Sequence, residues 1–131
     1  MIVAPAADAR QVPPVRPTGA MDMLSIEGLT IAFVRRNGNV AVVRNVDLSI
    51  APGQAVGLVG ESGSGKSMTA LAVMRLLPRA ARILSGKVRL EGQDLVPLRE
   101  SDMTSVRGRV VSMISQDPLT ALNPAFTIER Q

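Results

Sequence analysis

Apolar and polar residues alternate from Leu24: Leu24 and Ile26 share a phase, the phase slips by one at Gly28, and Leu29, Ile31 and Phe33 resume it. This pattern predicts a strand with a bulge at the glycine. The stretch from Arg35 to Asn39 holds Asn37-Gly38, a turn signal, and Val40, Val42, Val46, Leu48 and Ile50 then fall on one face of a second strand. An antiparallel pair is expected. After a Pro52-Gly53 turn, Ala55 to Val59 is a short continuous apolar run of the kind found in a strand buried on both faces. Residues 66–77 are strong helix formers, apolar nearly all round, and Pro78 stops them, so a helix against the sheet is expected. Lys87 to Glu91 alternates again, with Val88 and Leu90 facing in. A short helix is expected from Pro97, with Glu100 in its first turn, Arg107 in its last and Gly108 just past its end. Val110, Val111, Met113 and Ile114 read as a second buried strand, and a turn-rich stretch to Pro124 leads to a helix start at Thr127. Residues 1–22, with Pro5, Pro13, Pro14 and Pro17 and no hydrophobic period, read as a disordered tail ahead of a patterned region over 23–131.

Composition narrows the chemistry. A chain of 131 residues, 46% hydrophobic and 20% charged, has room for one ordinary domain. Its apolar runs fall short of the roughly 20 residues that cross a bilayer, and its first residues lack the basic-then-apolar order of a secretory signal, so a cytoplasmic location is expected. Cysteine and histidine are both absent, which excludes disulfides, thiolate or imidazole metal sites, cysteine nucleophiles and histidine bases. The formal charge is +4, but 13 of the 15 basic residues are arginines scattered along the chain, and the aromatic inventory is Phe33 and Phe126 alone. Without stacking platforms beside a basic groove, nucleic-acid binding is not expected.

The segment Gly60-Glu61-Ser62-Gly63-Ser64-Gly65-Lys66-Ser67 fits G-x-x-x-x-G-K-[ST] and stands between the apolar run and the first helix. A triphosphate needs many backbone N–H groups at close range, so Gly60, Gly63 and Gly65 are expected to supply close passage and positive φ. The helix that starts at Lys66 directs its free N–H groups at the same anion. Lys66 can reach the terminal phosphates, and the Ser67 hydroxyl can ligate Mg²⁺.

With its serines, this loop strongly resembles the Walker A loop of ABC transporter ATPases, and Met113 to Pro124, containing Gln116-Asp117-Pro118 and Leu122-Asn123-Pro124, is similar to the Q-loop of the branch that energises dipeptide, oligopeptide and nickel import. The resemblance runs from about Leu24 to Gln131. It implies an α/β P-loop NTPase core with an antiparallel β-subdomain, truncated before the helical subdomain, that takes ATP and Mg²⁺. The loop from Gly60 through Met68 and Thr69 would then be the nucleotide-binding segment. Phe33 matches the aromatic residue that stacks on adenine, the alternative being a plain core phenylalanine. Gln116 matches the glutamine that touches Mg²⁺ or the attacking water, making Lys66 and Gln116 the catalytic candidates. Thr69 either approaches the α-phosphate or simply bonds helix backbone. Implied partners are transmembrane permease subunits and a second ATPase subunit arranged head to tail, at the inner face of the cell membrane.

The sequence departs from the family's pattern in two ways. Ser115 stands where the family commonly has a bulky apolar or aromatic residue, and no signature loop, Asp-Glu pair or switch histidine appears in the 131 residues. ATP binding without efficient hydrolysis is therefore expected of the chain as given. The competing readings are a non-catalytic interaction remnant and another P-loop kinase or GTPase; the Asn-Lys-x-Asp guanine loop of GTPases is missing.

Overall fold

The computed structural model describes residues 22–116 and 122–130. The expected tail over 1–22 and the Asp117-Pro118 part of the Q-loop stretch lie outside the described residues, apart from Asp22.

Strand β1 (Leu24–Phe33) pairs antiparallel with β2 (Val40–Ile50), as the alternation predicts. The hairpin turn closes with the Gly38 N–H donating to the Arg35 carbonyl at 3.2 Å. The ladder shifts between Ile26 and Leu29, placing the bulge at Gly28, which has φ +57°. Two side chains staple it: Asp47 Oδ1 accepts from the Gly28 N–H at 2.7 Å, and Thr30 Oγ1 accepts from the Asn45 N–H at 3.1 Å. Because the bulge restores phase, Ile26, Leu29 and Ile31 all become buried.

The third strand is longer than expected. The alternation marks only Lys87 to Glu91, whereas β3 runs Ala81–Leu90 and pairs along the whole other edge of β1, from Leu24↔Leu90 to Phe33↔Ala81. Its first half carries Arg82, Leu84 and Ser85 outward and has no clean period, so pairing to β1 rather than local pattern makes it a strand. With β4 (Gln93–Asp94) the sheet order is β2-β1-β3-β4. Ile26, Leu29, Ile31, Val43 and Val88 from the sheet pack with Ala72 and Val73 of the helix that follows the glycine loop, and with Leu95 and Met103. Each fully buried Ile, Leu or Met contributes about 1.5–3 kcal/mol.

That helix, α1 (Lys66–Val73), stops four residues before the expected end at Leu77. Arg75 adopts φ +51°, and the Arg75 N–H donates to the Ala72 carbonyl at 3.0 Å while the Leu76 N–H donates to the Leu71 carbonyl at 2.8 Å. These are the paired bonds of a left-handed helix stop, normally built on glycine. Arginine is tolerated here because its guanidinium donates to the Leu95 carbonyl at 3.2 Å and to the Leu98 carbonyl.

The second helix, α2 (Glu100–Val106), begins three residues after Pro97, and Gly108 past its end has φ +77°. Glu100 pairs with Arg107. The Arg107 hydrogen bond holds the Glu100 carboxyl below its ordinary value near 4.5, with partial burial opposing and the Arg107 and Arg75 charges assisting. A carboxyl lowered by folding contributes stability above its unfolded pKa and loses it as pH falls through the folded value. Glu100→Gln should therefore flatten the fall of melting temperature on acidification from pH 4.5 downward; an identical acid profile would show that the pair contributes nothing.

Two expectations are overturned. Ala55 to Val59 joins no ladder among the described residues, with Val59 51% exposed instead of buried on both faces. Val110 to Ile114 likewise forms no strand: only Arg107 and Val111 make an isolated parallel bridge, and Ile114 is 92% exposed. An apolar run becomes a buried strand only where neighbours supply ladder bonds and cover both faces, and the described residues supply none here. At Thr127 the expected helix start is a single 3-10 turn, Ile128–Arg130.

Candidate functional site

The glycine loop delivers the N-terminus of α1 to a cleft of about 630 Å³. Gly65 occupies the N-cap position with φ +92° and no side chain capping the first turn, so the leading N–H groups of α1 are free to meet an anion. Gly63 has φ +83° with open space around it, while Gly60 is buried. The expected positive φ is thus found at Gly63 and Gly65. The reason for glycine at 65 also differs from the expected one: a Cβ there would stand 2.7 Å from the Val42 carbonyl oxygen and 2.8 Å from Val43 Cγ2, so the loop is pressed against β2.

Lys66 is folded along the loop, its ammonium donating to the Gly60 carbonyl at 2.8 Å, the Glu61 carbonyl at 2.6 Å and Ser64 Oγ at 3.2 Å. Desolvation holds its pKa below the ordinary lysine value. Its contacts are to neutral oxygens that a phosphate can outcompete.

Of the expected site residues, the cleft brings together Phe33, Gly60, Ser62, Gly63, Gly65, Lys66, Ser67, Met68 and Gln116. Phe33, at the end of β1, is half-buried: it packs against the core and lines the cleft, so each of the two readings describes part of its environment. Glu61 and Ser64 contribute oxygens to Lys66 and do not line the cleft. Thr69 is not brought to it. Its side chain is buried, Oγ1 donates to the Gly65 carbonyl at 3.0 Å, and it borders a separate apolar cavity of about 230 Å³ between sheet and α1. The bond to helix backbone is the arrangement present.

Ser67 and Gln116 offer oxygen donors on the same cleft. No group of three or more His, Cys, Asp or Glu able to hold a metal occurs among the described residues. A hard cation that keeps waters and takes its remaining ligands from phosphate fits this neutral oxygen set, which is how Mg²⁺ binds.

Sequence reasoning missed Val42. It lines the cleft together with Phe33, and the only signal was its place in the Val40–Val42 alternation, which reads as core. No described helix is long and apolar enough to cross a membrane.

The ABC transporter family matches residues 43–131, about two-thirds of the chain. The chain is 43% identical over 118 residues to the peptidoglycan transport ATP-binding protein YejF of Agrobacterium fabrum, covering 89% of this chain and 22% of that protein. It is 42% and 43% identical over 110 residues to the oligopeptide transport ATP-binding proteins OppD and AppD of Bacillus subtilis, covering 83% of this chain and 31% and 34% of theirs. The chain thus spans between about a fifth and a third of the length of these curated relatives.

Proposed function

The chain belongs to the ABC transporter family, and from that premise we propose that it forms the MgATP-binding part of an ATPase that powers peptide or nickel import. The observation that carries the reading is the convergence of Phe33, the glycine loop with Lys66 and Ser67, and Gln116 on one cleft.

In this reading the N–H groups of the loop and α1 cradle the phosphates, and Lys66 exchanges its carbonyl contacts for the terminal phosphate oxygens. Ser67 and Gln116 would hold the Mg²⁺, which would supply charge neutralisation at the phosphates. Phe33 and Val42 form the apolar end of the cleft, where a base stacks on the ring. Gln116 positions water at the opposite side. Transmembrane permease subunits and a second ATPase subunit arranged head to tail are the proposed partners, at the inner membrane face.

The 131 residues hold no histidine and no Asp-Glu pair, so they lack the usual groups that orient the attacking water. Binding without efficient turnover is the proposed activity of this chain by itself, since losing such a group costs several kcal/mol of transition-state stabilisation. Titrating the purified chain with a fluorescent ATP analogue and Mg²⁺ tests the reading: saturable binding that ATP displaces is expected, with phosphate release at background. Failure to bind would overturn the first claim, and release that Lys66→Ala abolishes would overturn the second.

Phe33 provides a finer test. Phe33→Ala should weaken ATP by about 1–3 kcal/mol, the worth of base stacking on a ring, and should also lower the melting temperature because half the ring is core. Phe33→Tyr should keep ATP affinity. If Phe33→Ala melts early yet binds normally, the ring serves the core alone.

A further inference from the structure

The carbonyls of the last helical turn have no intrahelical partner and need donors from elsewhere. At the end of α1 the Leu71 and Ala72 carbonyls are taken by the Leu76 and Arg75 N–H groups, and the next two, at the C-cap and just past it, are met by one distant side chain: Arg107 Nε donates to the Met74 carbonyl at 2.7 Å and Nη2 to the Arg75 carbonyl at 3.2 Å. The Arg107 side chain is 17% exposed and is held in turn by Glu100. Its planar fork and fixed charge suit the negative end of a helix dipole, and a lysine could reproduce only part of this arrangement.

Immediately after Arg107 the chain makes a tight turn over 108–110. The Gly108 N–H donates to the Val111 carbonyl at 2.8 Å, the Val110 and Val111 N–H groups donate to the Val106 carbonyl, and Arg107 and Val111 form the isolated bridge. Residues 112–115 then run without joining any ladder among the described residues, and Gln116 arrives at the cleft. The nearest sheet-type pairing before Gln116 is therefore seated on the C-terminal end of the same helix whose N-terminal end presents Lys66 and Ser67.

We infer that Arg107 is a positioning residue that sets Gln116 relative to the phosphate loop, by clamping the start of segment 107–116 onto the C-terminal end of α1. Only the meaning of that position for nucleotide rests on the reading above; the clamp itself does not. The arrangement makes α1 a strut between the glycine loop at its N-terminal end and the Arg107 clamp at its C-terminal end. Release of Arg107 would then free the start of the segment that carries Gln116.

The chain contains no cysteine, so single labels are unambiguous. A nitroxide on Ile114→Cys, outside the cleft, reports the segment, and one on Leu84→Cys in β3 serves as control. In the full chain without nucleotide, Arg107→Ala should speed motion of the 114 label by about twofold or more while leaving the 84 label unchanged, with Arg107→Lys in between. Should Arg107→Ala not fold, Arg107→Lys decides. Equal mobility at 114 in all variants, or an equal rise at both labels, would overturn the inference. Adding MgATP separates it from the nucleotide reading. At saturating MgATP, wild type should show slowed motion at 114, and Arg107→Ala should lose most of that response. If the wild-type label ignores MgATP although Arg107→Ala still frees it, the nucleotide role of Gln116 falls and the clamp stands. If the label responds alike in wild type and Arg107→Ala, the clamp falls.

Discussion

Gly86→Val is expected to abolish the cooperative thermal transition. Gly86 lies in β3 directly across from the β1 bulge, with φ +98°, and a Cβ there would stand 2.6 Å from Leu29 Cα, 2.7 Å from the Glu27 carbonyl oxygen and 2.7 Å from the Gly28 carbonyl carbon. All three atoms are backbone in the central strand, so no side-chain rotation relieves the clash. The ladder between β1 and β3 already shifts between Glu27 and Thr30, and forcing the strands apart there would break pairing on both sides of it. Backbone strain at positive φ alone costs about 1–3 kcal/mol, and the enforced separation of β1 from β3 should bring the loss to about 4 kcal/mol or more. A small domain has only about 5–15 kcal/mol in total. Gly53→Ala is the control: φ is +73° but nothing lies within 4 Å, so only the strain is incurred. Melting followed by circular dichroism checks both, and a Gly86→Val melt within a few degrees of wild type would show that the bulge is not pressed against β3.

The second large effect separates two adjacent residues of the loop. Lys66→Ala removes a mobile cation whose contacts are to loop oxygens, so it should weaken MgATP binding at least about tenfold, near 1.4 kcal/mol, with the melting temperature nearly unchanged. Gly65→Ala should lose both. Its Cβ would collide with the Val42 carbonyl and Val43, displacing the loop from β2 and with it the start of α1. The measurements are titration with a fluorescent ATP analogue and melting on the same samples. Gly65→Ala with wild-type stability and weakened binding would mean that the glycine serves phosphate approach alone, as the sequence motif by itself suggests. Equal affinity in wild type and both variants would remove the phosphate site.

Much of the site was legible before folding because the information is local. The loop from Gly60 to Ser67, the turn at Asn37-Gly38 and the phase slip at Gly28 each declare themselves within a few residues, since positive φ, close backbone approach and alternation are short-range requirements. The Q-loop resemblance placed Gln116 near the phosphate loop, and the cleft contains it. Thr69 shows the limit of such reading. A hydroxyl one turn into a helix can face a ligand or its own backbone, and only the fold turns it to the Gly65 carbonyl.

What the tertiary structure decided depends on partners far along the chain. Ala81 to Ser85 has no strand period, yet it is a strand because β1 offers a free edge; Ala55 to Val59 has the apolar character, yet joins no ladder because no described neighbour offers one. The end of α1 at Val73 could not be read from helix-forming residues that continue to Leu77, because the stop needs Arg75 in a left-handed conformation supported by carbonyls at 95 and 98. Likewise, neither Val42 as a wall of the cleft nor Arg107 on the Met74 carbonyl leaves a local trace. Periodicity and turn chemistry are properties of neighbouring residues, whereas ladder bonds, caps supplied by distant side chains and shared cavity walls exist only once the chain has closed loops of tens of residues, and that closure fixed how the glycine loop is held.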